Sequence, residues 1–244
     1  MIFARERAEV IANKLKKLMV VRKFQLDDWK VKEGFFLRPE EADLAEEGWE
    51  LFDSRLMHWY GPDRHYWFRT VFTIPEEYDG KGLWLRIRTQ IEEWDDAKNP
   101  QFLVFLNGEV VQGADMNHRE VLLSEAATAG ETVTVDLQAY SGTLHPEFRL
   151  MADVEEVSQP VKDLYYDIQV PLWAMDRMDQ EGKTAIDILT VLNDTISLLD
   201  LRDVYSDDFY RSVEAARAYI AKALYEDLAG DDTVIATCIG HTHI

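Results

Sequence analysis

Between Phe24 and about Val157, short runs of residues alternate between apolar and polar positions, and this pattern constrains the fold more than any other feature. Such alternation is typical of strands that are buried on one face. Four runs place the following residues toward a core: Tyr66, Phe68, Phe72 and Ile74; Leu83, Leu85 and Ile87; Val133, Val135 and Leu137; and Phe148, Leu150, Ala152 and Val154. Trp67, Arg69 and Thr73 are expected on the opposite face. Because no helical pattern separates these strands, we expect antiparallel sheets packed as a sandwich or jelly roll.

The clearest turn lies in FLVFLNGEVVQG, where Asn107 and Gly108 separate two apolar runs. Both central residues of a two-residue hairpin turn need a positive φ angle, which Asn and Gly tolerate better than other residues. The sequence therefore predicts a hairpin here, a structural feature that says nothing about function.

Helical periodicity is found at both ends of the alternating region. Residues 4–20 are predicted to form a helix, with apolar residues at helical spacing. After Pro160 the period changes to about 3.6, and two apolar stripes predict two long helices within residues 160–230. Ser206 is a candidate N-cap and Gly230 a candidate C′ residue. The stripes are Ile11, Leu15, Leu18 and Met19 in the first helix; Leu189, Leu192, Ile196 and Leu199; and Val213, Ala216, Ile220, Leu224 and Leu228.

The last segment, DDTVIATCIGHTHI, has a nearly continuous apolar run from Val234 to Ile239. Such a run suits a strand covered on both faces, as in a parallel α/β sheet or barrel. A single parallel strand cannot form a sheet, so we expect the chain to be an N-terminal fragment. We divide it into an N-terminal helix (1–24), a β-sandwich (25–157), a helical linker (158–230) and the start of a catalytic domain (231–244).

Two histidines follow the predicted buried strand directly, in the run Gly240-His241-Thr242-His243. Catalytic groups of parallel α/β folds gather at the C-terminal ends of strands. Histidine is also the commonest protein ligand for zinc. The pair therefore indicates a metal site, although a short H-x-H run also arises by chance. Two ligands do not complete a catalytic zinc site, so further ligands are expected beyond Ile244.

The run VIATCIGHTHI resembles the start of the catalytic domain of glycoside hydrolase family 38 α-mannosidases, whose zinc motif reads G-H-T-H-I-D. The resemblance implies that His243 is a zinc ligand and that His241 has a supporting or substrate-facing role. It implies that the aspartate of the motif, the nucleophile, the general acid and the distal histidine ligand lie beyond Ile244. No catalytic residue is therefore expected within these residues, and the 244-residue chain is expected to be inactive.

The preceding residues agree with this resemblance in their layout. The runs WYGPDRHYWFRTVFTIP and VFLNGEVVQG resemble the galactose-binding-like jelly roll found at the front of glycosidases. The implied fold is mainly β: an antiparallel jelly-roll sandwich with an N-terminal helix, then a helical segment and the first strand of a truncated α/β barrel. The implied partners are a mannose-containing oligosaccharide and the missing catalytic domain of the same polypeptide.

Charge and composition limit the other classes of partner. The chain carries 46 acidic and 26 basic residues, a formal net charge of −20, and this disfavours nucleic acid and anionic membranes. No window approaches the ~20 apolar residues of a membrane span, and the charged N-terminus is unlike a secretory signal. Cys238 is the single cysteine, which fits a reducing compartment. We therefore expect a cytoplasmic protein, and homo-oligomerisation stays open.

Other candidate sites have weaker support. The acidic run Glu92, Glu93, Asp95 and Asp96 is compatible with calcium, but a solvated loop is favoured. Trp59, Tyr60, Trp67 and Trp94 could form a sugar-stacking platform, although aromatic residues this dense are more often core residues. His58, His65, His118 and His145 lack metal-ligand spacing and receive no role. The alternative to an enzyme fragment is a free-standing carbohydrate-binding or protein-interaction module. A zinc hydrolase of another class, such as a deacetylase, gives no reason for the sandwich.

Overall fold

The computed structural model describes residues 3–44, 48–89, 100–143 and 147–228. Contacts divide the chain into two compact units, one of which is Val20–Ser158. The other combines the N-terminal helix with the helices that follow Ser158. Two segments that are far apart in the sequence therefore belong to one unit.

Helices contribute about as many of the described residues as strands do, so this part of the chain is mixed rather than mainly β, as expected from the sequence only for the sandwich. The helices are α1 (Ala4–Leu18), α2 (Pro39–Leu44), α3 (Gln159–Met175), α4 (Lys183–Ser197) and α5 (Asp207–Ile220), with a 3₁₀ turn at Glu76–Tyr78 and a π-helical turn at Ala221–Asp227. The strands are β1 (Val20–Leu26), β2 (Asp28–Glu33), β3 (Glu50–Asp53), β4 (Trp59–Tyr60), β5 (His65–Thr73), β6 (Leu83–Arg88), β7 (Gln101–Leu106), β8 (Glu109–Ala114), β9 (Glu120–Ser124), β10 (Thr132–Tyr140), β11 (Glu147–Phe148) and β12 (Met151–Val157).

The described part of the unit Val20–Ser158 is a β-sandwich of two large antiparallel sheets, with a small third sheet formed by β11 and β4. The strand orders are β1-β12-β6-β9 and β3-β2-β5-β10-β7-β8. Alternate residues of both sheets enter one apolar core, for example Leu85 from the first sheet and Leu137 from the second. The predicted antiparallel sandwich is confirmed at this level, whereas its finer description as a jelly roll stays a prediction.

The predicted strand faces agree with the observed burial. Leu83, Leu85 and Ile87 are buried on alternate positions of β6, as expected from the sequence. The predicted hairpin at Asn107-Gly108 joins β7 to β8, and both residues have positive φ angles, 51° and 87°. The side-chain alternation and the Asn-Gly turn therefore predicted the strand faces and the hairpin correctly.

The outer face of the six-stranded sheet is partly covered, which the alternation did not predict. Trp67 lies on that face, as expected, yet it is fully buried against Phe105 and Ala42. Residues 34–44, which we call the strap, include α2 and cross this face. Lys32 on β2 donates a 2.7 Å hydrogen bond from Nζ to the carbonyl oxygen of Ala42, so a buried ammonium holds the strap to the sheet.

Three helices of the second unit lie between Ser158 and Leu228, within the described residues, where the sequence predicted two. The additional helix, α3, continues through Pro171, a residue that normally ends a helix because it lacks an N–H donor. Helix α1 ends at Leu18, two residues before its predicted end. These helices share a core that includes Leu15, Ile168, Leu192 and Val213. None of the described helices combines the length and apolar character that crossing a membrane requires.

Ser206 caps α5 as predicted. Its side-chain oxygen accepts a 3.2 Å hydrogen bond from the backbone N–H of Phe209, and Asp207 and Asp208 occupy the first turn. Carboxylates at this position are favoured by the partial positive charge of a helix N-terminus. The predicted C′ residue Gly230 and the predicted barrel strand at 231–244 lie outside the described residues.

Candidate functional site

The predicted zinc residues lie outside the described residues. The zinc site of His241 and His243 therefore remains a prediction from the sequence. Within residues 3–44, 48–89, 100–143 and 147–228, no group of three or more His, Cys, Asp or Glu side chains is placed to hold a metal ion. The acidic run from Glu92 to Asp96 also lies outside those residues.

The predicted aromatic platform does not form at the surface. Trp59 and Trp67 are only 2% and 0% exposed, so neither ring can stack on a sugar. Trp59 packs instead in the core, 4.8 Å from the ring of Phe148 and 5.4 Å from that of Phe68. Tyr60, which follows Trp59 on β4, is exposed, and Trp94 is outside the described residues. The structure therefore supports the interpretation of Trp59 and Trp67 as core residues.

The histidines are dispersed, as expected. His58 pairs with Glu147, and His118 Nδ1 lies 3.1 Å from Oδ1 of Asp115. Asp115 also accepts backbone hydrogen bonds from Asn117 and His118, and although burial alone raises its pKa, these bonds lower it overall. His145 lies outside the described residues. His65 lines a cavity.

The cavity, which we call the cleft, lies on the outer face of the six-stranded sheet and has a volume of about 230 Å³. Its floor is a row of three side chains from three neighbouring strands. Tyr140 is the register partner of His65 on β5 and of Gln101 on β7. Equivalent positions in adjacent strands point to the same face, so the three side chains stand side by side. Gln138 and Leu103, a second pair in register, continue the floor toward the strap.

The wall of the cleft is the start of the strap. Phe35 stands on this wall with 65% of its surface exposed, and its ring packs edge-on against His65 at 4.8 Å between centroids. The adjacent Gly34 has a φ of 150°, and a Cβ atom there would lie 2.5 Å from the ring of Phe36. The strap can therefore turn this tightly only at a glycine. Gln138 donates a hydrogen bond to the carbonyl oxygen of Phe36 and fixes the wall to the floor.

The rim of the cleft is polar. The Tyr140 hydroxyl donates a 3.1 Å hydrogen bond to Oδ1 of Asp63, and this bond raises the pKa of Tyr140. Asp63 is held by its backbone N–H, which donates to the carbonyl oxygen of Gly142 at 2.6 Å. The neighbouring Arg64 pairs with Glu33 at 2.6 Å. Because Tyr140 stays protonated and donates to Asp63, its oxygen remains able to accept a hydrogen bond.

The cleft offers ring faces and amides, which suits binding better than catalysis. The rings of His65 and Tyr140 are 5.1 Å apart and inclined by 31°, and Phe35 stands across them. Gln101 is exposed at the end of the row. No Asp or Glu is among the described residues that line the cleft, and Asp63 contacts the lining only through Tyr140. The cleft itself therefore does not hold the paired carboxyl groups of a glycosidase centre.

Sequence reasoning missed the cleft because its residues come from four separate stretches of the chain. Phe35, His65, Gln101 and Tyr140 share no motif, and their proximity depends on the pairing of β5, β10 and β7. The sequence did indicate that the side chain of His65 points away from the core, because His65 alternates with the predicted core residues Tyr66 and Phe68. This alternation predicts the face of the sheet on which His65 lies, but it does not predict which strands are neighbours.

A second group of charges lies on the four-stranded sheet. The buried carboxylate of Asp153 pairs with Arg88 and, at 3.1 Å, with Lys23. Glu155 on the same strand is also buried, and burial raises its pKa despite the opposing effect of Arg86 and Lys23. These acids are matched by cations within the sheet, which indicates a structural role.

Comparisons with known proteins give a limited result. No protein-family model matches the chain, and no curated protein matches its sequence. Solved structures to which it is similar include the β-glucuronidase from Ruminococcus gnavus, at 16% identity and a TM-score of 0.38, covering 57% of this chain and 29% of that one. The same enzyme in complex with D-glucuronic acid is similar at 15% identity and a TM-score of 0.38, covering 57% and 30% respectively.

These structurally similar proteins are glycosidases by name, but the chain spans less than a third of their length. At such identity and TM-score, the likeness does not establish a shared fold, substrate or activity. The comparisons therefore give no support to the α-mannosidase family.

Proposed function

We propose that this chain is the N-terminal part of a zinc-dependent retaining α-mannosidase that acts on terminal α-linked mannose of oligosaccharides. The observation that carries the proposal is the sequence run GHTHI directly after the apolar segment Val234–Ile239. The sandwich followed by a helical region is compatible with it, since the same layout is implied by the family resemblance. A cytoplasmic location remains a prediction, and homo-oligomerisation stays open.

In this proposal His243 is a zinc ligand and His241 supports the site or the substrate. Zinc would supply a template that orients substrate hydroxyl groups. Retaining hydrolysis also needs two carboxyl groups about 5–5.5 Å apart, one as nucleophile and one as acid and base. In this proposal, those groups belong to residues that follow Ile244, so the 244-residue chain alone would not hydrolyse a glycoside.

The proposal can be tested by reading the gene beyond Ile244 and expressing the extended chain. We expect an aspartate as the next residue, about one zinc per chain by elemental analysis, and hydrolysis of an aryl α-mannoside. His243→Ala should remove zinc and activity together, whereas His118→Ala, a histidine paired with Asp115, should change neither. An extension with no carboxylate after Ile244, or turnover by the 244-residue chain, would refute the proposal.

A second candidate is a carbohydrate-binding module whose binding does not depend on a catalytic domain. The cleft favours it, because this is a preformed concave surface with ring faces and amides. The two candidates are compatible, since a glycosidase can carry a separate binding module.

A further inference from the structure

We infer that the cleft on the six-stranded sheet is a binding site for a neutral saccharide. This inference rests on the second candidate function and deepens it by naming the ligand class, and it needs neither zinc nor a catalytic domain. It rests on the shape of the cleft, on the chemistry of its lining and on the charge around it.

The shape favours a small ligand at the surface. The volume of about 230 Å³ is below the ~300–1,000 Å³ of pockets that enclose a drug-sized molecule. The floor consists of β5, β10 and β7, and β10 is paired on both sides by its neighbours. Since the backbone groups of β10 are already used in the sheet, a peptide could not bind there by adding a strand. Recognition must therefore come from side chains.

The lining matches the two kinds of surface that a sugar ring presents. The C–H face of a pyranose packs on aromatic rings, and Phe35, His65 and Tyr140 supply three rings around one space. Each hydroxyl group at the edge of a pyranose can both donate and accept a hydrogen bond, so the protein must offer acceptors and donors close together. Gln101 and Gln138 each carry both in one amide group, and the Tyr140 oxygen can accept a further bond. This mixture of rings and amides is typical of small-molecule sites.

The charge of the surroundings selects against anionic ligands. Asp63 lies beside Tyr140 at the rim, and the positive charge of Arg64 is matched by Glu33. The whole chain has a formal net charge of −20, which repels anions at long range. A nucleoside could also stack on the rings, but its phosphate esters would be repelled. A neutral sugar has no such penalty.

The experiment measures binding of defined oligosaccharides to the purified 244-residue chain by titration calorimetry and by ligand-observed NMR. The probes are neutral α-mannotriose and cellotriose, an anionic trigalacturonic acid and adenosine. Chelator is present throughout, so zinc cannot contribute. We expect at least one neutral trisaccharide to bind at millimolar concentrations, and trigalacturonic acid to bind at least ten times more weakly.

Variants then locate the site. Phe35→Ala removes an exposed ring, and Gln101→Ala removes an exposed amide, so neither should affect folding. Each should weaken saccharide binding on the order of tenfold, which is about 1.4 kcal/mol. Val71→Ala is the matched control, because Val71 is an exposed residue on the same face of β5 at its other end. Its affinity should equal that of the unaltered chain.

Several results would overturn the inference. These are no binding of either neutral trisaccharide, preferential binding of adenosine or trigalacturonic acid, and equal loss of affinity in Val71→Ala and the two cleft variants. His243→Ala separates this inference from the proposed function. Saccharide binding that survives in His243→Ala supports the cleft whatever the fate of the zinc proposal, whereas loss in that variant would place the saccharide elsewhere.

Discussion

Two buried tryptophans of the sandwich differ in one respect that stability measurements can resolve. Trp29 and Trp67 are 2% and 0% exposed. The indole N–H of Trp29 donates a 2.8 Å hydrogen bond to the carbonyl oxygen of Leu26. The indole N–H of Trp67 is buried and has no hydrogen-bond partner among the described residues. Replacing each residue with phenylalanine should therefore have unequal effects.

The expected difference follows from hydrogen-bond energetics. Both replacements shrink a buried ring and cost on the order of 1–3 kcal/mol from lost packing. Trp29→Phe also loses a hydrogen bond that contributes about 1 kcal/mol net. Trp67→Phe instead removes an unsatisfied donor whose burial costs about 1–3 kcal/mol. Trp29→Phe should thus destabilise the chain by about 2–4 kcal/mol more than Trp67→Phe.

The assay is urea unfolding followed by far-UV circular dichroism, since tryptophan fluorescence would change with the substitution itself. The slopes of the unfolding transitions must agree if the free energies are to be compared. Phe68→Leu and Phe105→Leu calibrate the packing cost in the core and under the strap, because these residues belong to the same two clusters. If Trp67→Phe is as destabilising as Trp29→Phe after this calibration, the reasoning is wrong.

Three further predictions concern the helix cap, the hairpin and a buried acid. Ser206→Ala should lower the free energy of unfolding by about 1 kcal/mol, and Ser206→Asp should retain most of it, as measured by urea denaturation. Gly108→Ala should lower the free energy of unfolding by about 1–2 kcal/mol because alanine is strained at the φ of 87°. An added Cβ atom would not clash, since the nearest atom is 3.8 Å away. An unchanged stability in thermal denaturation would contradict this. The raised pKa of Glu155 means that its stabilising contribution is present below the ordinary value of 4.5 and is lost as pH rises through the higher folded value. Glu155→Gln should therefore be more stable than the unaltered chain at pH 7 and equal to it near pH 4, and a constant difference across this range would refute the assignment.

The sequence predicts those parts of the fold that local chemistry determines. The faces of β6 and the Asn107-Gly108 hairpin follow from side-chain parity and from the φ angles of two residues. Ser206 was identified because a hydroxyl before two acidic residues is a local helix-start signal. Each of these features depends on neighbours within a few positions.

The features that were missed depend on contacts between distant residues. Burial of Trp67 requires the strap, which is more than twenty residues earlier in the chain. Helix α3 contains Pro171, a residue with low helix propensity. The helix is stabilised instead by tertiary packing, because Ile168 and Leu172 are buried in the helical core. The cleft needs the register of three strands. His241 and His243 lie outside the described residues, and their role stays a prediction.

Two of the hydrogen bonds that attach the strap to the sheet are accepted by main-chain oxygens of the strap. Gln138 binds the carbonyl of Phe36, and Lys32 binds that of Ala42, so two sheet residues hold the strap whatever side chains stand at positions 35 and 37. Phe35 and Leu37 are more than 60% exposed and contribute little to that attachment. Substitution at these two positions can therefore alter which molecule fits beside the sheet while the path of the backbone is retained. Related chains could diversify their selectivity there at small cost in stability.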